Sequence, residues 1–360
     1  MVFYIRFLKT PRLQKQKTGS VVSSALICIT TDLGDAFLSQ DADLLVTLHL
    51  AHEKKAICQG RLQWHAGKRE LPISLGPLQA NISRQAMIME VTASNRRSPN
   101  AVSADSLLDQ QNIPLVISGW SAMFGGPQML VADKLVERRF TVNQSVELSI
   151  WEETGNSIAR HIWDAAVASV MYLQGTITGD QGSDSVLQKL LQTERCEPLN
   201  VIELGSGCGI VGIALAELLP QCSVLLTDLP EVEEIVTKNI NSAQPAHASE
   251  IKYRSLGWEE ELPSDLFDGP SIDLVLVSDC TYNADSLPAL VSVLSRLVQL
   301  SPHAVVLVAL KRRHESESVF FDLMQSVGLH DLHVHRMELP SQHEQSDEIE
   351  LHSYGIQQTS

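Results

Sequence analysis

The run Asn200-Val-Ile-Glu-Leu-Gly-Ser-Gly-Cys-Gly209 passes directly into Ile-Val-Gly-Ile-Ala-Leu-Ala-Glu-Leu-Leu219. Its first half predicts a buried strand with an acid, Glu203, at the end. Three glycines, Gly205, Gly207 and Gly209, then turn the chain into an apolar helix. Without Cβ atoms the chain can reverse tightly and a ligand can lie against the main chain, so the turn predicts a nucleotide-type site.

Two ligands fit the glycines. Gly207-Cys-Gly209-Ile-Val-Gly212 satisfies the G-x-G-x-x-G pattern of dinucleotide sites, and Asp228 follows about 20 residues on, near the spacing that pattern expects. Glu203 shifts the balance toward S-adenosylmethionine. A carboxylate at the strand end repels a pyrophosphate but suits a ligand with a cationic amino-acid end and no phosphate. Asp228 ends the next strand, Cys222 to Asp228, where it can accept both ribose hydroxyls. A glycine-rich turn with no ligand is the plainer alternative.

The flanking sequence sets the architecture. From Leu199 onward, strands ending near Glu203, Asp228, Leu256, Asp279 and Leu310 alternate with helices near Ile210 to Leu219, Glu231 to Ser242, Ser286 to Leu300 and Glu315 to Val327. Such alternation predicts a doubly wound parallel sheet. Leu329 to Leu339 and Glu348 to Ile356 follow as two strands, joined by the short polar turn Pro340 to Asp347, which forces an antiparallel pair. The predicted fold is α/β, a Rossmann-like seven-stranded class I methyltransferase sheet with a C-terminal antiparallel hairpin. A helix is expected from a Ser157 cap through Ile158 to Leu173, then a polar linker from Gln174 to about Asp184.

Ahead of this lies a β-rich accessory region, expected over residues 1–136, with the methyltransferase domain over 137–360. Leu44 to Leu50 and Ala56 to Trp64 read as strands joined by Ala51 to Lys55, and residues 94–112 as a polar loop. The first 31 residues carry Arg6, Lys9, Arg12, Lys15 and Lys17 and no acid. That fits a mitochondrial transit peptide, but Val21 to Thr30 reads better as a folded strand.

Composition excludes several classes. A net charge of −16 argues against general nucleic-acid binding, which needs clustered Lys and Arg, and favours a basic protein partner. No apolar run reaches about 18 residues, so no membrane span is expected. Six scattered cysteines without a C-x-x-C pair predict reduced thiols, no zinc site, and a cytoplasmic or nuclear location.

Glu153-Thr-Gly155, Ile162-Trp-Asp-Ala-Ala166, Glu203-Leu-Gly-Ser-Gly-Cys-Gly209, Thr227-Asp228, Gly257-Trp258 and Ser278-Asp-Cys-Thr-Tyr282 together resemble the seven-strand protein-lysine methyltransferases of the methyltransferase-16 family. The resemblance extends to the methyltransferase-like 21 and 22 groups and fungal relatives, and runs from Trp151 to the C-terminus. It implies S-adenosylmethionine as cofactor and a protein substrate from the translation, chaperone or nuclear classes. It further implies that Trp163 packs on the cofactor, that Gly205, Ser206 and Gly207 line it, and that Asp228 binds its ribose. Trp258 would cover the adenine, Ser278 would sit beside the ligand, and Asp279 and Tyr282 would form the catalytic substrate mouth. Strand order supports the Asp279 assignment independently, since its strand is expected beside the one ending in Glu203.

Other readings compete. By pattern alone, Trp163 and Trp258 read as core residues, and Trp151 as structural. His330, His333 and His335 read as a packed or solvated strand, and Lys311-Arg-Arg-His314 as a solvated turn. A small-molecule N-methyltransferase and a catalytically silent cofactor-binding module are the alternatives to a protein-lysine methyltransferase.

Overall fold

The computed structural model describes residues 1–360 except 54, 80, 82–83, 94–103, 109–112, 127–128, 156, 180–184, 194–196, 267–268, 314–317, 341–346 and 357–360. Its C-terminal part is built on a seven-stranded sheet. The strand order is Glu250–Ser255, Cys222–Asp228, Leu199–Leu204, Leu274–Ser278, Val305–Leu310, Glu348–Ile356, Leu329–Glu338. The first five are parallel, and Glu348–Ile356 is inserted antiparallel to both its neighbours, so that Leu329–Glu338 at the edge runs in the direction of the first five. Leu274–Ser278 and Val305–Leu310 are apolar along almost their whole length because helices cover both faces, which is the expected signature of buried parallel strands. The chain order reverses between Leu199–Leu204 and Leu274–Ser278, and a crevice opens at the carboxyl ends of strands at such a point.

Two further sheets precede it. Leu71–Leu78, Val21–Thr30, Phe3–Lys15 and Val116–Ile117 form one; the second follows the order Glu147–Glu153, Leu135–Thr141, Gly119–Ser121, Ala86–Ala93, Ala42–Leu50, Ala56–Trp64. Their facing side chains, among them Ile5, Phe7, Ile27, Leu44, Val46 and Met89, make a common apolar core. Alternation explains the second contact. Tyr4 and Val2 belong, with Phe140, Leu148 and Ile150, to a core shared with the helix Asp164–Thr178 and the seven-stranded sheet. The N-terminal region is therefore packed onto the C-terminal part through buried apolar side chains.

Several expectations change. The division at 136/137 falls inside the strand Leu135–Thr141, which pairs with Glu147–Glu153 in the second N-terminal sheet. Within the expected polar loop, Asp105–Ser106 pairs with Phe140–Thr141, anchored by Ser118, whose N–H and hydroxyl both donate to the Asp105 carboxylate. Residues 94–103 and 109–112 of that loop, most of the 340–347 turn, and His314 lie outside the described residues.

The helix expected from Ser157 starts only at Asp164, because the Ile162 N–H donates to Glu152 and the Arg160 guanidinium is held by Glu153 and the Glu231 carbonyl. It continues to Thr178, so Gln174 to Thr178 are helix rather than linker, and ends at Gly179 with φ 81°. Among the described residues, no helix is long and apolar enough to cross a membrane.

Candidate active site

All ten residues singled out from sequence line one cleft of about 490 Å³: Trp163, Glu203, Gly205, Ser206, Gly207, Asp228, Trp258, Ser278, Asp279 and Tyr282. The cleft sits at the carboxyl edge of the sheet where the strand order reverses.

Gly205 to Cys208 of the glycine turn line the cleft, while Gly209 packs behind against Leu226 and Val236. Gly205, Gly207 and Gly209 have φ of 65°, 54° and 80°, a region costly to any side chain with a Cβ. A Cβ on Gly205 would come within 2.5 Å of the Cys280 Sγ and 3.2 Å of the Trp258 ring. Gly205→Ala is therefore expected to cost about 1–3 kcal/mol of stability and to push Trp258 into the cleft, weakening ligand binding. Thermal melts and ligand calorimetry on the variant would read both effects; an unchanged melt would show that the contact relaxes without cost.

The two strand-end acids are held differently. Asp228 accepts the Gly207 N–H at 2.7 Å and the Leu229 N–H at 2.6 Å, one on each oxygen. Each oxygen keeps a lone pair for a diol, and burial pushes the group above its ordinary range. Glu203 accepts the Gly212 N–H at 2.8 Å. Burial pushes its pKa up to about 8, helped by Asp228 and opposed by the Gly212 N–H. Ser206 donates its N–H to the Thr227 carbonyl, while its hydroxyl is buried with no hydrogen-bond partner among the described residues. An unsatisfied buried hydroxyl beside a Cβ-free cradle and a diol acceptor is a donor set that fits a polar nucleoside.

Asp279 follows the next strand directly. Its φ of 55° is left-handed, an uncommon and strained state for a residue with a side chain, and its N–H donates to the Ala309 carbonyl at 2.8 Å. Tyr282, three residues on, is 58% exposed at the rim. Burial raises the pKa of Asp279 against the pull of Arg313, whose guanidinium grips both carboxylate oxygens at 2.7 and 2.8 Å.

Trp163 is the residue before the helix, with extended backbone, and not inside an apolar helix as its sequence context suggested. The loop leading to it brings Ile158, His161 and Trp163 to the cleft together. Ser278 Oγ lies 3.4 Å from Ser169 Oγ. Trp151 remains structural, its ring covered by the Lys238 ammonium at 4.7 Å. His335 stacks on Tyr172 at 5.0 Å.

The basic run after Leu310 is not a solvated turn. Lys311 is buried against Asp164 at 3.0 Å, Arg312 pairs with Glu350 at 2.8 Å, and Arg313 joins Asp279 to Asp32. A signal was present for Arg313: it follows a strand at the edge where such sheets bind ligands. Cys280 stood inside the Ser278 to Tyr282 run without a role of its own, and Asp32 had no signal.

A UPF0665 family protein of Schizosaccharomyces pombe is 27% identical over 333 residues, covering 88% of this chain and 91% of that protein. Protein N-lysine methyltransferase METTL21A of Danio rerio is 31% identical, covering 53% of this chain and 78% of its own. Protein-lysine N-methyltransferase EFM6 of Saccharomyces cerevisiae is 27% identical over 49% of this chain and 73% of its own. The sequence profile of the lysine methyltransferase family matches residues 142–327, just over half the chain, and the chain belongs to that family.

Proposed function

We propose that the cleft holds S-adenosylmethionine and that its methyl goes to the side-chain nitrogen of a lysine on a protein substrate. The observation that carries this reading is the meeting, in one cleft at the sheet's reversal point, of Gly205 and Gly207 of the glycine turn, the unpaired Ser206 hydroxyl, the two strand-end acids and the strained Asp279. The seven-stranded sheet with its antiparallel end is, in this reading, the class I methyltransferase arrangement. Residues from about 142 onward form the catalytic unit, and the two preceding sheets form an accessory region.

Bound S-adenosylmethionine would supply a methyl already activated on a sulfonium, so the chain's own task is alignment and exclusion of water. Gly205, Ser206 and Gly207 line the ligand, Asp228 takes the ribose hydroxyls, and Trp258 and Trp163 cover its faces beside Ser278. Glu203 complements the cationic amino-acid end. Asp279 and Tyr282 stand at the mouth, where the acceptor lysine must arrive neutral although its ordinary pKa is about 10.4. Asp279 draws in and orients the ammonium, and the low-dielectric surroundings favour loss of its proton. The chain's part in that transfer would be to hold the neutral nitrogen in line with the activated methyl and to let the ammonium proton pass to solvent.

Calorimetry with S-adenosylhomocysteine against NAD tests the cofactor, and tight NAD binding would sink the reading. Labelled S-adenosylmethionine incubated with the protein and cell extract tests the acceptor: a labelled protein band is expected, and a labelled metabolite alone would move the activity to small molecules.

Glu203 adds a pH dependence. Its folded pKa, about 8, lies above the ordinary value of 4.5, so its contribution to stability is complete below pH 4.5 and is lost as pH rises through 8. A cationic ligand end beside it favours the carboxylate. Binding near pH 7 should therefore release a fraction of a proton, and affinity should rise toward pH 8. Calorimetry in buffers of different ionisation heat reads that proton directly; a binding heat independent of buffer would remove Glu203 from contact with the cationic end.

A further inference from the structure

A second cavity of about 610 Å³ adjoins the first, and the two share Ile158, His161, Trp163, Asp279 and Tyr282 along their common wall. The rest of its lining comes largely from the N-terminal region, including Arg6, Thr30, Asp32 and Phe37. Its volume lies within the range of ligand pockets.

At the junction sits a cation from the chain itself. Arg313 donates to Asp279 twice and to Asp32 at 3.0 Å, with its guanidinium carbon 5.5 Å from the Trp163 ring centre. The side chains of Asp279 and Asp32 are 3% and 1% exposed, and that of Arg313 is 15% exposed. Asp32 is fixed from behind, its carbonyl accepting from Arg6 at 2.8 Å and its carboxylate accepting the Leu33 N–H at 2.9 Å. Two buried acids, one from each half of the protein, and an aromatic face thus form a cation seat that opens on the outer cavity and borders the cofactor cleft.

We infer that the second cavity is the entry for the acceptor protein's cationic side chain, that Asp32 of the N-terminal region is a specificity-determining residue of this site, and that Arg313 occupies the seat until an incoming alkylammonium exchanges with it. The inference rests on the methyltransferase reading above and extends it by giving the accessory sheets half of the substrate site. Geometry supports it in two ways. An acceptor must reach the methyl from the side away from sulfur, and the second cavity touches Asp279 with no residue of the glycine turn in its lining. With Arg313 in place the cavity lining balances, Arg6, Arg69 and Arg313 against Asp32, Glu70 and Asp279, so withdrawal of Arg313 leaves one negative charge over, which attracts a replacement cation.

The test uses the full-length chain with Arg313→Ala, saturated with S-adenosylhomocysteine, and n-butylammonium chloride as probe. The expected result is a saturable rise in Tm that neither sodium chloride at equal ionic strength nor n-butanol reproduces. Adding Asp32→Asn should weaken that binding by about tenfold to a hundredfold, the size of one charge-assisted hydrogen bond. A variant that melts cooperatively and binds S-adenosylhomocysteine, yet responds to n-butylammonium no more than to sodium chloride, overturns the inference and leaves the cofactor assignment standing. An unmutated chain that does not bind S-adenosylhomocysteine overturns both. Should Arg313→Ala fail to fold, Arg313→Lys keeps the charge. With labelled S-adenosylmethionine it should acquire a methyl group at position 313, located by peptide mass spectrometry, at a rate independent of protein concentration. No label there, with cofactor binding intact, is again an overturning result.

Discussion

Asp279→Asn is expected to lower methyl transfer by about 10²-fold or more, the scale for a reactant that is no longer held in line, while affinity for S-adenosylhomocysteine stays close to that of the unmutated chain. Asn is the informative replacement because the residue sits at φ 55°, and Asn tolerates the left-handed region better than most residues with a side chain. Ala would add backbone strain and a void to the loss of charge. The change removes one negative charge from a seat whose cation keeps Asp32 as a partner, so the fold should survive. The glycine turn, Glu203, Asp228 and Trp258 are untouched, and cofactor affinity reports on that part of the cleft. Initial rates of label incorporation into protein, alongside calorimetry, separate the two. Transfer at the unmutated rate would remove Asp279 from the reaction; lost cofactor binding would place it in the cofactor site instead. Tyr282→Phe should be milder, since the exposed ring keeps its apolar face and loses only the hydroxyl.

What could be read from sequence depended on whether the signal was local. The strand ending at Glu203, the three-glycine turn and the helix from Ile210 are each written in a few adjacent residues. Their place at the sheet's reversal point followed from alternation and connection rules. The helix start at Asp164 was not legible, because the interaction that delays it is a hydrogen bond from Ile162 to Glu152, on a strand of another sheet. Arg313 was visible as a charge but not as a partner. Its two acids lie 34 and 281 residues away in the chain, and no periodicity encodes that meeting. The accessory region was legible only as short strands, since which of its faces packs on the catalytic part is decided by Tyr4, Phe140 and Ile150 in three dimensions.

The same long-range logic makes Glu152 a sensitive structural position. Arg138 and Glu152 are both 0% exposed, with Arg138 Nε donating to Glu152 at 2.7 Å and Nη1 to the Ser118 carbonyl at 2.7 Å. The second Glu152 oxygen takes the Ile162 N–H at 2.8 Å and so fixes the loop that carries His161 and Trp163 into both cavities. Burial alone would raise its pKa; the Arg138 guanidinium, with help from His161 and Arg6, overrides that and holds it well below the usual range. Glu152→Gln leaves Arg138 buried without its counter-charge and is expected to cost about 3–5 kcal/mol in a chemical-denaturation series.

A double variant, Glu152→Leu with Arg138→Met, should recover most of that loss because both buried charges are gone. It still leaves the Ile162 N–H and the Ser118 carbonyl without these partners, so cofactor affinity should remain lowered even where stability returns. Its acid response should differ from that of the unmutated chain in a defined direction. A depressed folded pKa contributes stability above the ordinary glutamate value of 4.5 that is lost as pH falls below it, so the unmutated chain should weaken on the acid side where the double variant does not. Equal acid limbs would mean that the pair's charge contributes nothing to folding, and that Glu152 acts on the site only through the hydrogen bond to Ile162.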